Sequence, residues 1–356
     1  MTMFEIDGTF GEGGGQILRT SLALAALTGK PFRISRIRGK RKKPGLRRQH
    51  LTGVRAAQTI ARAEVRGADL DSTELTFVPG GVAGGDHTFD VGTAGSALLV
   101  LQTILPPLFR AGGPSTVTVR GGTHNPMSPP FDFVAESFLP AIGRMGFRAQ
   151  ARLGGHGFYP AGGGEVTMRI EPAASPQPAE FTAPTGPCTL RARVLLSRLP
   201  GGVWNAERLA LESTGLPLTA IERRDVTDSP GPGNCVMIVI DRDPADPRNA
   251  VAPNGRDVGR TVRSILTAFG ERGRPSAAVV GEVAGCAREL LDAAAGVDRF
   301  LADQLLLYLA MAGGGSLTTP VLTLHAETNM AVIEKFLPVR FETERIGQAL
   351  HVRCRA

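Results

Sequence analysis

The chain has 356 residues, of which 42% are hydrophobic, 21% charged and 5% aromatic, the proportions of a globular protein long enough for two or three domains. Its formal charge of +7 is unevenly placed, because Gly13–Ala63 holds thirteen Lys and Arg and no acid, leaving 27 bases against 33 acids elsewhere. No apolar run reaches the ~20 residues of a membrane span, the start MTMFEIDG has no basic and apolar leader pattern, and the four cysteines form no C-x-x-C, so a cytoplasmic setting with reduced thiols is expected.

After an apolar stretch at Phe4–Asp7, residues 10–19 read FGEGGGQILR. No Gly-Lys-[Ser/Thr] follows, so this is not a P-loop, and Gln16 stands where a dinucleotide fingerprint beginning at Gly11 would need glycine. A glycine turn opening a helix remains, and such a start offers free N–H groups to an anion. The spacing of Ile17, Leu18, Leu22 and Leu24 predicts a helix over Gly14–Thr28, stopped by Gly29. A strand is expected at Pro31–Arg38, a helix at Leu46–Arg62, and strands near Glu64–Val65 and Glu74–Val78. The order returns as helix Gly95–Leu105, strand Ser115–Arg120, helix Phe131–Met145, and strands Phe147–Leu153 and Glu165–Ile170. It returns again as helix Asp298–Met311, strand Thr318–His325, helix Met330–Phe336, and strands Val339–Glu344 and Ala349–Cys354.

Three such passes predict an α+β fold built on a repeated unit. Between the second and third passes, five prolines in Pro172–Pro187 mark a linker. Beyond it a smaller α+β domain is expected, with a strand at Thr189–Leu196, a helix near Asn205–Ser213, a strand at Cys235–Ile240, a loop over Arg242–Gly255 and a helix at Val258–Phe269. The expected division is therefore a large domain over 1–186 and 295–356, with an inserted domain over 187–294. Aligning the first strand of each pass puts Arg38, Arg120 and His325 at corresponding strand ends, which would converge if the units pack around one axis.

Nine of the thirteen bases lie between Arg33 and Arg48, threaded through Ile34, Ile37 and Leu46, so the run belongs to folded structure. A focused basic patch on a weakly acidic body points to a polyanion, nucleic acid first and a nucleotide second. Glu12, the only acid between Asp7 and Glu64, is either a salt-bridge partner or a ligand for a hard cation on a nucleotide phosphate. Phe300, Asp303, Gln304 and Leu307 share one helix face, and an Asp-Gln pair there is either an exposed stripe or a polar pocket wall. Gln102 poses the same alternatives. No H-E-x-x-H or G-x-S-x-G occurs, so metallohydrolase and serine-hydrolase chemistry find no support.

Seven segments, in order and over nearly the whole chain, resemble RNA 3′-terminal phosphate cyclases: DGTFGEGGGQILR (7–19), RIRGKRKKPGLRRQHL (36–51), GTAGSALLVLQTILP (92–106), HGFYPAGGGEV (156–166), GPGN (231–234), FLADQL (300–305) and HAETNMAVIEKFLP (325–338). HGFYPAGGG is the most specific of them. The resemblance implies three βαβαββ-type units with a small inserted domain, an architecture related to enolpyruvyl transferases. It implies ATP-dependent closure of an RNA 3′-phosphate to a 2′,3′-cyclic phosphate through covalent histidine–AMP and RNA(3′)pp(5′)A. His325 matches the family's nucleophile. Gln102, Phe300, Leu301, Ala302, Asp303 and Gln304 match its ATP site, with Phe300 where the family commonly has tyrosine. Glu12, Arg19, Arg38, Arg41 and Gln49 match positions lining the phosphate and metal region, with Mg²⁺ or Mn²⁺ on Glu12. A neutral His325 is required, so Asp303 should not raise its pKa far. The alternatives are a non-catalytic RNA-binding or ribosome-assembly relative, which His325 argues against, and an enolpyruvyl transferase. The expected partners are ATP and RNA ending in 3′-phosphate, with no membrane; a homodimer is one assembly the sequence leaves open.

Overall fold

The computed structural model describes residues 3–182, 187–242 and 263–356. Its first third runs β1 (Phe4–Asp7), α1 (Gly15–Thr28), β2 (Phe32–Ser35), α2 (Arg48–Ile60), β3 (Glu64–Arg66) and β4 (Leu75–Val78). The second runs β5 (Gly85–Asp90), α3 (Ala97–Leu108), β6 (Ser115–Gly121), α4 (Phe131–Phe133), a π turn (Val134–Phe138) leading into α5 (Leu139–Gly143), β7 (Ala149–Gly155) and β8 (Gly164–Ile170). After β9 (Ala179–Phe181) come β10 (Cys188–Ser197), α6 (Gly201–Glu212), β11 (Leu218–Asp225), β12 (Gly233–Arg242), β13 (Ser264–Phe269) and α7 (Ser276–Asp292). The chain closes with α8 (Arg299–Met311), β14 (Gly314–Thr319), α9 (Leu324–Phe336), β15 (Arg340–Ile346) and β16 (Ala349–Arg355).

The strands form four mixed sheets among the described residues, so the class is α+β. Three are ordered β1-β2-β4-β3, β5-β6-β8-β7 and β9-β14-β16-β15, each with its first pair parallel and the rest antiparallel. The fourth, β11-β10-β12-β13, lies wholly between β9 and α8.

One apolar core joins these elements. Phe336 of α9 packs on Phe4 of β1 at 5.1 Å between ring centroids and on Phe32 of β2 at 6.3 Å. Tyr308 of α8 sits edge-on to Phe109, Phe138 and Phe147 at 6.2, 5.4 and 5.3 Å. These rings fix α9 against the first sheet and α8 against the end of α3, the π turn and the chain before β7, which is what brings their polar residues together. The fourth sheet and helices α6 and α7 hold a second cluster of buried residues, including Val194, Val236, Ile238 and Val283. The π turn presents Glu136 to Arg193 and Arg263, at 2.8 Å each, while Asp132 meets Arg193 at 2.7 Å.

Several expected elements are corrected. The strand expected over Thr318–His325 ends at Thr319, and α9 begins at Leu324 rather than Met330. Thr323 caps that helix by accepting from the Ala326 N–H at 3.1 Å, so the apolar run before His325 ends in a helix cap. Strand β14 already opens at Gly314, before the expected start at Thr318, and Gly315 lies so close to β9 that an added Cβ would sit 2.5 Å from the Ala179 carbonyl. The expected linker contains β9, an edge strand of the third such sheet. The helix expected over Val258–Phe269 is instead strand β13 over its described part; residues 258–262, like most of the loop expected over Arg242–Gly255, lie outside the described residues. Helix α3 continues through Pro106 and Pro107, which fall in its last turn.

Candidate active site

The glycine turn after β1 places α1 and Glu12 against three other elements, and it leaves no room for side chains. An added Cβ on Gly11 would lie 2.0 Å from Thr328 Oγ1, on Gly14 2.1 Å from Glu12 Oε2, and on Gly15 2.5 Å from His50 Nε2. Gly11 and Gly13 also take positive φ, 53° and 64°, where a side chain is strained. The turn thus lets α9, the carboxylate of Glu12 and the first turn of α2 approach the start of α1. Helix α1 begins at Gly15 and its N-cap, Gly14, offers no side chain, so its leading N–H groups are left for an anion.

His325 lies in the first turn of α9. Its Nδ1 is hydrogen-bonded to Gln16 Oε1, and Gln16 Nε2 donates to Asp303 Oδ1 at 2.8 Å. A carboxylate can only accept, so the Gln16 amide nitrogen faces Asp303 and its oxygen faces His325. Nδ1 therefore carries the ring proton, and the lone pair is on Nε2. Burial and the guanidinium groups of Arg19 and Arg41 lower the His325 pKa, outweighing the opposite pull of Asp303, so the ring is neutral at neutral pH. Nε2 lies 3.4 Å from Glu12 Oε1, whose charge is balanced by an ion pair with Arg41.

A second chain of amides reaches Asp303 from the other side. Arg19 Nε donates to Gln102 Oε1 at 3.1 Å, Gln102 Nε2 donates to Gln304 Oε1, and Gln304 Nε2 donates to Asp303 Oδ2 at 3.3 Å. Arg19 has only donors and Asp303 only acceptors, so both glutamines are oriented from end to end. Asn329 Nδ2 adds contacts to the Asp303 backbone oxygen at 3.2 Å and to Oδ1 at 3.4 Å, and Thr20 holds its oxygen at 2.8 Å. Burial raises the Asp303 pKa against these donors and pushes Arg19 down to about 10, still charged. The gap among Arg19, Gln102, Asp303 and Gln304 is about 20 Å³, room for one water.

The basic loop closes the site. Arg38, with φ +55°, donates through Nη1 to the Lys43 and Gly45 carbonyls at 2.8 and 2.9 Å, and Lys40 Nζ binds the Gly11 carbonyl at 2.7 Å. Arg33, Arg36 and Arg47 pair with Glu74, Asp7 and Asp71. Exposed Lys42, Lys43 and Arg48 make no ion pair among the described residues. Buried His50 accepts from the Arg47 N–H at Nδ1 over 3.3 Å, so Nε2 carries its proton. Burial and then Arg19, Arg38, Arg47 and Arg41 push its pKa down to about 3.

A family model described as RNA 3′-terminal phosphate cyclase matches residues 10–343. The chain belongs to the RNA 3′-terminal phosphate cyclase family. Proteins of that name from Ralstonia nicotianae and Koribacter versatilis are each 45% identical to it, over 98% and 96% of this chain and 96% and 92% of their own lengths. The one from Salmonella enteritidis is 42% identical over 98% of this chain and 97% of its own.

Of the residues expected at a cyclase site, Glu12, Arg19, Arg41, Gln102, Asp303, Gln304 and His325 are linked directly or through one partner. Phe300 is half-exposed at the start of α8, whereas Leu301 and Ala302 are buried in the core, leaving only their backbone for a ligand. Gln49 accepts from the Ser96 N–H at 3.0 Å and faces the start of α3. Arg120 does not join them: it lies in β6, exposed and paired with Glu165 at 2.9 Å, and His325 is not at a strand end. The expected convergence of Arg38, Arg120 and His325 fails for that reason. Gln16, His50, Thr328 and Asn329 went unassigned in the sequence. Their signal was present, as polar residues beside assigned ones in GGGQ, RRQHL and HAETN.

Proposed function

We propose that the protein is an ATP-dependent RNA 3′-terminal phosphate cyclase that works through a His325–AMP intermediate. The observation that carries this is the Asp303–Gln16–His325 chain, which leaves a neutral imidazole with its Nε2 lone pair turned toward Glu12 and the basic loop. That lone pair attacks the α-phosphorus of ATP; the P–N bond forms, the bond to the bridging oxygen breaks, and pyrophosphate leaves. The position of His325 in the first turn of α9, with Arg19 and Arg41 beside it, favours the negative charge that gathers in this step. An oxygen of the RNA 3′-phosphate then attacks the same phosphorus, breaking the P–N bond. The terminal 2′-OH finally attacks the activated 3′-phosphorus, losing its proton and expelling AMP. Dividing one displacement among three steps through an imidazole nucleophile is ordinary covalent catalysis. On this reading Phe300, half-exposed at the start of α8, stacks on adenine.

Glu12 fits a divalent cation in one respect: its Oε2 is buried with no hydrogen-bond partner among the described residues. No group of three or more potential ligands occurs among those residues, so the substrate's phosphates and water would complete the shell. A Mg²⁺ or Mn²⁺ ion on Glu12 would neutralise phosphate charge.

The same proposal takes the three like-ordered sheets, each with its helices, as three copies of a βαβαββ unit of enolpyruvyl-transferase type. It takes 1–186 and 295–356 as one domain and 187–294 as an insertion, in keeping with the second apolar cluster. A cytoplasmic setting accords with four free cysteines. No helix among the described residues is long and apolar enough to cross a membrane.

Incubation with α-labelled ATP should label the protein on His325, and RNA ending in 3′-phosphate should become phosphatase-resistant as AMP is released. Cyclic product without AMP, or labelling that survives His325→Ala, overturns the mechanism. An enolpyruvyl transferase would take no label.

A further inference from the structure

Three glycine-rich stretches that the adenylylation site does not use meet on the far side of α2. The first turn of that helix is a wedge between two glycine turns: His50 packs on Gly15, while the neighbouring Gln49 packs on Gly95, where an added Cβ would lie 2.9 Å from the Gln49 Cβ. Beyond Gly95 the turn Gly92–Ser96, the loop His156–Gly164 and the turn Gly231–Asn234 interlock. An added Cβ on Gly162 would lie 2.7 Å from Ala94 Cα, on Gly163 2.7 Å from Pro230, and on Gly231 2.5 Å from Ala161 Cβ. These close approaches make rigid walls, and Gly92, Thr93, Ala161, Gly163 and Gly164 of the first two stretches line an open cleft of about 360 Å³, within the size range of small-ligand pockets.

The chemistry of the lining selects the ligand. Asp90, Thr93, Arg120 and Glu165 supply its polar side chains, so two carboxylates face one guanidinium. Arg120 pairs with Glu165 at 2.9 Å but stays more than half exposed. Such a lining repels a phosphate and suits a group rich in O–H and N–H donors with a flat ring. Tyr159, exposed two positions before Ala161, adds an aromatic surface at the same loop. Ribose hydroxyls and base amino groups have this chemistry, and base planes stack on tyrosine and arginine.

We propose that this cavity seats the base and ribose of a ribonucleotide near the reacting end of the RNA, on the opposite side of Gln49 from His325. The inference rests on the cyclase reading and adds to it where the strand is held. Binding here is neutral in character, whereas the basic loop contacts phosphates.

The test uses the full chain and a labelled RNA oligonucleotide ending in 3′-phosphate. Thr93→Trp fills the cavity, and Glu165→Gln removes one acceptor at unchanged size. Both should leave labelling of the protein by α-labelled ATP at the wild-type rate. RNA affinity by fluorescence anisotropy should fall about tenfold for Thr93→Trp and severalfold for Glu165→Gln. The slope of log affinity against log salt should stay as in the wild type, because no phosphate contact is lost. An oligonucleotide with deoxyribose upstream of its terminal ribonucleotide should bind the wild type more weakly than RNA, and the variants should lose that preference. Wild-type RNA affinity in both variants, with labelling intact, overturns the proposal. A shallower salt slope also overturns it, since the site would then bind phosphate. Absence of labelling in the wild type would instead count against the cyclase reading, and anisotropy would still report on the cavity.

Discussion

Asp303→Asn is the sharpest perturbation available, because both amide chains end on that carboxylate. Asparagine keeps the shape but replaces one acceptor by a donor. The chain from Arg19 through Gln102 and Gln304 delivers an N–H to Oδ2, and its direction is fixed by the donor-only guanidinium. The asparagine oxygen must therefore turn to Gln304 and its nitrogen to Gln16. Gln16 then satisfies itself by flipping, which points its own N–H₂ at His325 Nδ1. That nitrogen becomes an acceptor, the proton moves to Nε2, and the nucleophilic lone pair is gone. Retaining the productive arrangement would leave the Gln304 donor facing another donor in a buried setting, a cost of about 1–3 kcal/mol. At a factor of ten per 1.4 kcal/mol, the productive ring tautomer falls to between about a fifth and a hundredth. Loss of the carboxylate also removes the group that most favours positive charge on the ring. Single-turnover transfer of label from α-labelled ATP should therefore slow by about 10–100-fold. Nitrogen-15 shifts of the His325 ring should show the proton moved from Nδ1 to Nε2. A variant that labels at the wild-type rate with Nδ1 still protonated refutes the relay.

Replacing Lys42 and Lys43 by glutamate should weaken RNA binding and flatten its salt dependence by about 0.7 per lost phosphate contact; Lys40 is left out because it anchors Gly11, and an unchanged slope returns both lysines to a solvated face. Because the His325 pKa is lowered, the acid limb of the adenylylation rate should fall below the ordinary imidazole value of 6.5, and a limb above it contradicts a neutral resting ring. For His50, held near 3, the unfolded chain binds a proton between that value and 6.5 that the folded chain does not, so stability is lost as pH falls through this window, by up to about 1.4 kcal/mol per unit; His50→Asn, which keeps an acceptor for the Arg47 N–H, should flatten denaturant midpoints there. Glu207, pushed up to about 7 by burial despite its bond from Asn234, works the other way, costing stability as pH rises from 4.5 to 7, and Glu207→Gln should raise the midpoint above pH 7 and leave it unchanged at pH 4.

Most of the helices and inner strands were legible because they are periodic: Ile17, Leu18, Leu22 and Leu24 mark the buried face of α1, and Ser115–Gly121 and Gly164–Ile170 alternate as paired strands do; α7, the longest described helix, was not expected. The errors cluster where one residue changes the meaning of a run. Val321–Leu324 has strand composition, yet Thr323 turns it into a helix start. Gly314 and Gly315 follow the left-handed Gly313 that ends α8, yet they belong to β14, where the backbone of β9 leaves no room for a side chain at Gly315. The Thr323 cap is local, three residues from the N–H it accepts, and its signal is masked by the apolar run around it; the approach of β9 to Gly315 comes from far along the chain and is not visible in a window of sequence. Strands β5, β9 and β11 were missed for a related reason: they are edge strands, specified by a parallel neighbour more than by their own pattern.

The chemistry was legible as residue types but not as a direction. His325, Asp303 and Gln304 stand out in the sequence, yet a histidine and a buried carboxylate alone would be expected to form a charged pair, which would silence a nucleophile. What prevents this is Gln16, a residue with no distinguishing signal beyond its place after three glycines. It transmits orientation from Asp303 to the ring while keeping the carboxylate from direct contact with it. The glycines matter for the same reason. Gly15 makes room for His50, and Gly14 for the Glu12 carboxylate, so the start of α1 can sit beside α9 with Gln16 between His325 and Asp303. The glycine run is therefore required by the side chains around it as much as by any anion at the helix start.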